Sequence, residues 1–117
     1  MVDKELHISN IKSYVLINIA ESYAKIGKRQ MASETLEKAR EITNSIADGQ
    51  QRISALTQLS ESYAKIGEWR WARQAAEMNN NDADKIKTYC IILRVWAERK
   101  NPNLQDMNFT ELKPDSE

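Results

Sequence analysis

The sequence predicts an all-α protein: a short solenoid of antiparallel helix pairs, with about five helices and a mostly irregular C-terminal tail. The seven residues Glu-Ser-Tyr-Ala-Lys-Ile-Gly occur twice, at 21–27 and 61–67, so the chain contains a repeat at an offset of 40 residues (61 minus 21). Only 3 glycines and 2 prolines interrupt the 117 residues, and this composition favours helices. Repeated helix pairs bury their apolar faces by stacking on each other.

The composition argues against several classes of function. The 17 basic residues balance the 17 acidic ones, which gives no electrostatic attraction for nucleic acid or an anionic membrane. A single cysteine, Cys90, and a single histidine, His7, provide neither a disulfide framework nor a set of metal ligands, so no cofactor is expected. We expect Cys90 to be buried and His7 to lie on the surface. The chain has no signal-peptide pattern and no membrane-length apolar run, which predicts a cytoplasmic protein.

Helix boundaries follow from capping residues and breakers. The first helix is expected to begin at Ser9 or Asn10 and to end near Ile26, because Gly27 readily adopts the left-handed conformation that ends helices. Asn101-Pro102 stops the last helix, since proline breaks the hydrogen-bond ladder. The remaining helices are predicted at 28–47, 51–66, 69–79 and 84–100.

Apolar residues at helical spacing predict the packed faces. In the first helix this face contains Ile19, Tyr23 and Ile26, with Leu16 before them. The third helix repeats it, and aligning Trp96 with Tyr63 gives a degenerate third copy in the fifth helix. Small residues are expected where helices approach closely, at Ala20, Ala32 and Ala39.

These patterns divide the chain into a repeat domain, 1–100, and a polar tail, 101–117. The domain contains units at about 10–50 and 51–83 and a half unit at 84–100. The tail is expected to be loose beyond Leu112, although its apolar residues also allow it to fold back on the last helix.

The helix pairs resemble the tetratricopeptide repeat over roughly residues 11–100. The resemblance implies a protein-binding solenoid whose concave surface is lined by the first helix of each pair. The resemblance is weaker in the second unit after its turn, where Ala76 replaces a large residue. The proline that the family usually has at the end of a unit is also absent, with Asn44 and Asp84 at those sites. The matching residues of the first unit are Leu16, Ile19, Ala20, Tyr23, Gly27, Ala32, Leu36 and Ala39.

By this resemblance, residues off the packed stripe of the first helices form the partner-binding groove. The alternative is that they are ordinary solvated residues, with Glu21–Lys25 and Glu61–Lys65 pairs that stabilise single helices. The predicted groove residues are Asn18, Glu21, Lys25, Thr57, Gln58, Glu61, Lys65 and Arg94.

The terminal helices carry more apolar residues than one packed face requires, whereas the ends of a solenoid are normally polar. The tail, the N-terminal residues or a second copy of the chain is therefore expected to cover them. Trp69 is expected in the core, while Trp71 is either core or a binding hot spot. The predicted self-association or partner surface contains Tyr14, Ile17, Trp71, Ile91 and Val95.

The sequence contains no nucleophile beside a base, phosphate-binding loop or metal-ligand cluster. The leading hypothesis is a protein–protein interaction module without catalytic activity, an adaptor or scaffold. A small homodimeric assembly protein is the alternative. A weaker one is an RNA-binding module, because the repeat also resembles the pentatricopeptide repeat.

Overall fold

A computed structural model describes the backbone of residues 2–100 and the side chains from Ser9 onward. This part of the chain contains five α-helices and no strand, which confirms the all-α, five-helix prediction. The predicted tail lies outside the described residues, and so does the side chain of His7. Helix α1 spans Val2–Lys25, α2 Arg29–Asn44, α3 Gly49–Lys65, α4 Trp69–Glu77 and α5 Asp82–Lys100.

Local sequence explains most of the helix ends. Gly27 and Gly67 both have φ +82°, the left-handed conformation predicted for them. The Asp48 carboxylate caps α3 by accepting a hydrogen bond from Gln51 N at 3.0 Å. The Asn81 side chain accepts bonds from the first backbone amides of α5, so one residue of the predicted asparagine-rich turn caps the next helix.

Two boundaries differ clearly from the predictions. Helix α1 begins at Val2, not at Ser9 or Asn10, because no glycine or proline interrupts residues 2–10 and the two capping candidates continue the helix instead. Helix α2 ends at Asn44, three residues before the predicted end at Ala47. There the Ser45 hydroxyl donates to Ile42 O at 2.7 Å and closes the last turn.

Consecutive helices form antiparallel pairs. Ser13, in the first half of α1, shares a 2.8 Å hydrogen bond with Thr43 at the end of α2. In the next pair Ser60 Oγ donates to Ala72 O at 2.7 Å. Both serines are buried, and these bonds satisfy the hydroxyls where the two helices of a pair meet.

Helix α3 occupies the centre of the fold, because it contacts α1 and α2 on one side and α4 and α5 on the other. Ala20, Ala32 and Ala39 are all buried, which confirms that small residues lie where helices approach closely. Further buried residues of the same core are Ile17, Leu36, Leu59, Tyr63, Ala64, Ile66, Ala72, Ala75 and Val95.

Candidate interaction site

A row of charged side chains joins α1, α3 and α5 on one surface. Glu21 on α1 accepts a 2.7 Å hydrogen bond from the Ser62 hydroxyl on α3, and its carboxylate lies 4.0 Å from Lys65 Nζ. Lys65 also lies 3.8 Å from Glu61, which pairs with Arg94 on α5 at 3.1 Å. Four of the predicted groove residues therefore come together across three helices.

The arrangement differs in one respect from the predicted pairs within single helices. Glu61 and Lys65 do pair along α3. Among the described residues, however, the ion pair of Glu21 is with Lys65 on α3 and not with Lys25 on its own helix. The charged row thus connects α1 to α3 and α5 instead of stabilising α1 alone.

Below this row, a cleft of about 220 Å³ lies between α1 and α3. Ala20 and Ala24 of α1 face Ile66, the residue that follows α3, across it, and Leu36 of α2 also contributes. The alanines leave this space because their side chains are short, whereas the neighbouring charged side chains are long enough to extend to its edge. The cleft is lined by Ala20, Glu21, Ala24, Lys25, Leu36, Ser62, Lys65 and Ile66.

The other predicted groove residues have simpler surroundings. Asn18 and Gln58 are exposed, and so is Lys25 at the edge of the cleft. Thr57 is half-buried, and its hydroxyl donates to Ile53 O of its own helix at 3.0 Å. Asn18 and Gln58 therefore add exposed amides, and Thr57 is partly withdrawn from the surface.

The prediction that Ile17 and Val95 belong to an exposed apolar surface is wrong. Ile17 is 1 % exposed and Val95 is 3 % exposed. Both belong to the hydrophobic core, because Ile17 follows Ser13 by one helical turn on the inner face of α1 and Val95 lies on the face of α5 that packs inward. Ile91 and Trp71 pack against the same core and are half-buried, as is Tyr14.

Trp71 belongs to a separate cluster of polar and aromatic side chains, between α2, α3 and α4. Its ring lies 6.4 Å from the Tyr63 ring, and the Arg40 guanidinium lies 4.2 Å above it. Arg40 also donates to Gln74 at 3.0 Å. Burial raises the pKa of Tyr63 to about 12. Trp71 is thus an edge-packing residue, and the partner that covers it, Arg40, was not singled out by the sequence.

The exposed apolar residues are not those predicted from the sequence. Cys90 is exposed and not buried, and Ile19, Ile26 and Trp96 are exposed although their spacing placed them on packed faces. The excess of apolar residues in the first and last helices correctly predicted that these helices have exposed apolar side chains. It did not show which side of each helix is exposed. The exposed large apolar residues are Ile11, Val15, Ile19, Ile26, Met31, Ile86, Leu93 and Trp96.

Within the described residues, none of the helices combines the length and the apolar character needed to cross a membrane. The same part of the chain contains no group of three or more histidine, cysteine or acidic side chains arranged to hold a metal ion. Comparisons with models of protein families, with curated proteins and with solved structures found no match to this chain.

Proposed function

We propose that this chain is a tetratricopeptide-like protein-interaction module, without catalytic activity or cofactor, that binds a segment of another polypeptide along the α1–α3–α5 surface. The observation that carries this proposal is the α1–α3 cleft, whose apolar floor lies beside a continuous row of charged groups. Such a combination suits a peptide, because an apolar side chain fills the cleft while its backbone and polar neighbours meet the charged edge.

The size of the cleft also favours a peptide side chain over a small-molecule substrate. Its volume is about 220 Å³, whereas pockets for drug-sized ligands are roughly 300–1,000 Å³. Ala20, Ala24, Leu36 and Ile66 form an apolar lining in which one large aliphatic or aromatic side chain fits. The preferred segment therefore carries one such anchor flanked by polar residues.

The charged row sets the expected specificity. Lys65 and Arg94 are about half exposed, whereas their ion-pair partners Glu21 and Glu61 are less exposed. The two cations are thus the more accessible members and favour an acidic residue beside the anchor. With no net charge, the chain offers no general attraction for nucleic acid or a membrane surface, and a cytoplasmic location is part of this proposal.

Peptide selection tests the proposal. Peptides selected on the wild-type chain from a random displayed library are expected to contain a large apolar anchor and to bind measurably in solution by fluorescence anisotropy. Ala24→Trp fills the cleft and is expected to weaken binding by more than about tenfold, which corresponds to more than about 1.4 kcal/mol. Ala47→Trp, the same substitution at an exposed site in the α2–α3 connection, is the matched control and leaves affinity unchanged.

Failure to enrich any peptide, or equal weakening by both variants, would contradict the cleft as the binding site. A charge test is independent of the steric one. Lys65→Glu is expected to weaken the peptides that carry an acidic residue beside the anchor and to leave neutral peptides nearly unaffected.

A further inference from the structure

The three long helices α1, α3 and α5 present equivalent faces, related by the repeat offsets of 40 and 33 residues (61 minus 21, and 96 minus 63). We call one of these the back face, the side of each helix that is turned toward the preceding unit. In the order α1, α3, α5, it contains Val15, Ile19, Ser22 and Ile26; then Ala55, Leu59, Ser62 and Ile66; then Thr88, Ile92, Val95 and Arg99.

The back face is covered in α3, partly covered in α5 and open in α1. All four of its residues in α3 are buried. In α5, Thr88 and Val95 are buried, Ile92 is half-buried and Arg99 is exposed. In α1, Val15, Ile19 and Ser22 are exposed. The sharpest contrast lies at the end of the duplicated stretch, where Ile26 is 66 % exposed and its equivalent Ile66 only 7 %.

The opposite side, which we call the front face, shows the reverse pattern. In α1 it contains Ser13, Ile17, Ala20 and Ala24, of which the first three are buried. The equivalent residues of α5 are Ile86, Cys90, Leu93 and Ala97. Ile86 and Leu93 are 63 % and 62 % exposed, and Cys90 is exposed as well. The front face is therefore closed at the beginning of the repeat and open at its end.

Inside the chain, the front face of α1 packs on two neighbours. Ser13 bonds to α2, the second helix of its own pair, whereas Ala20 and Ala24 lie across the cleft from Ser62 and Ile66 of the next back face. We call the contact between a front face and the next back face a joint. Among the described residues, no second helix and no following unit covers the front face of α5, and no unit covers the back face of α1. Placing these two open faces against each other creates one additional joint between two copies of the chain.

We propose that the chain self-associates head to tail, with the front face of α5 in one copy packed on the back face of α1 in a second copy. Because this contact is heterologous, it leaves one open face at each end and builds either a ring or an extended assembly. The apolar part of this contact lies outside the α1–α3 cleft, and its charged part uses Glu21 and Arg94 of the same charged row. Self-association is measured without peptide, so its failure is distinguishable from a failure of peptide binding.

Charge supports a second copy as the occupant. At the α3–α5 joint, Glu61 and Arg94 occupy the same repeat position and form an ion pair. At the additional joint, the residues in this position are Arg94 of one copy and Glu21 of the other, which again have opposite charges. The exposed residues that meet are otherwise mainly apolar: Ile86 and Leu93 on one side, and Val15 and Ile19 on the other.

Sedimentation velocity of the full chain, from micromolar to millimolar concentration, tests this proposal. The wild type is expected to show mass that increases with concentration. Ile19→Glu blocks the back face and Leu93→Glu the front face, and each alone is expected to raise the apparent dissociation constant by more than about tenfold. Ala47→Glu is the matched control at an exposed alanine and leaves association unchanged, and circular dichroism verifies that all variants are folded.

Mixing the two variants gives the decisive measurement. The Ile19→Glu chain keeps a good front face and the Leu93→Glu chain a good back face, so an equimolar mixture is expected to form a dimer that neither variant forms alone. A wild type that remains monomeric throughout overturns the proposal and leaves residues 101–117 of the same chain as the candidate cover for α5. Association that is lost with Ile19→Glu but kept with Leu93→Glu indicates a symmetric α1–α1 contact and also overturns it.

Discussion

The two copies of Glu-Ser-Tyr-Ala-Lys-Ile-Gly have the same local structure and different surroundings. In each, the helix ends at the lysine, the glycine amide bonds back to the alanine carbonyl at 3.1 or 3.0 Å, and the glycine has φ +82°. Yet the tyrosine, serine and isoleucine are buried in the second copy, whereas in the first the serine and isoleucine are exposed and the tyrosine is half-buried. The identical sequence produces the same backbone conformation in both copies, whereas the position of each copy among the five helices determines its burial.

The largest expected difference between the copies concerns their tyrosines. Tyr63 is enclosed by the core and stacks near Trp71, so Tyr63→Ala is expected to lower the free energy of unfolding by about 3–5 kcal/mol. Tyr23→Ala removes a half-buried ring and is expected to lower it by about 1–2 kcal/mol. Urea denaturation followed by circular dichroism, at a concentration where the chain is monomeric, measures both values. Equal losses would mean that the two stretches do not differ in burial in solution.

The glycines are expected to behave alike, because their role is local. Gly27→Ala and Gly67→Ala each force a side chain into the left-handed region and are expected to cost about 1–2 kcal/mol. A Cβ at Gly67 would also lie 2.9 Å from Arg29 Nη2, whereas one at Gly27 meets no atom within 4 Å. The guanidinium end of Arg29 is flexible and can move away. Urea denaturation is therefore expected to show similar decreases in the free energy of unfolding for both variants, with a difference smaller than the average decrease. A large loss at only one glycine would show that tertiary contacts, not the turn conformation, select it.

The smallest expected effect is a pH dependence confined to the second copy. Burial raises the pKa of Tyr63 from 10.0 to about 12. The folded state therefore favours the neutral phenol, so this contribution to stability is complete below about pH 10 and is lost as the pH rises toward 12. Between about pH 9 and 11, wild type should lose about 1 kcal/mol more stability than Tyr63→Phe, which keeps the ring.

Urea denaturation at a series of pH values measures this difference. Parallel stability curves for wild type and Tyr63→Phe over that interval would show that the hydroxyl is not removed from water in the folded state.

The same contrast explains how much could be predicted. The five helices and both glycine turns follow from capping, breakers and period, which act over a few residues. The inner face of α3 was largely predicted: of its expected residues, Leu56, Leu59, Tyr63 and Ile66 are buried and Ile53 is half-buried. The equivalent stripe of α1 was predicted in the same way, but Leu16 and Tyr23 are only half-buried and Ile19 and Ile26 are exposed. Periodicity identifies an apolar face without showing whether a neighbour covers it.

The candidate site shows the same division. The residue spacing predicted that Glu21, Glu61, Lys65 and Arg94 lie on one surface, and in the structure they do. It did not show that Glu21 pairs across units with Lys65, or that Arg40 from α2 covers Trp71 on α4. Those contacts join residues more than 30 positions apart in the chain, and they depend on how the helices pack against each other.

By itself, then, the sequence determined the helices, the turns that end two of them and the repeat that relates them, because hydrogen bonding and backbone conformation depend on near neighbours in the chain. Only the tertiary structure decided which equivalent residues are buried. An interior helix such as α3 has a neighbour on each side, whereas α1 and α5 each have one side that no described helix covers.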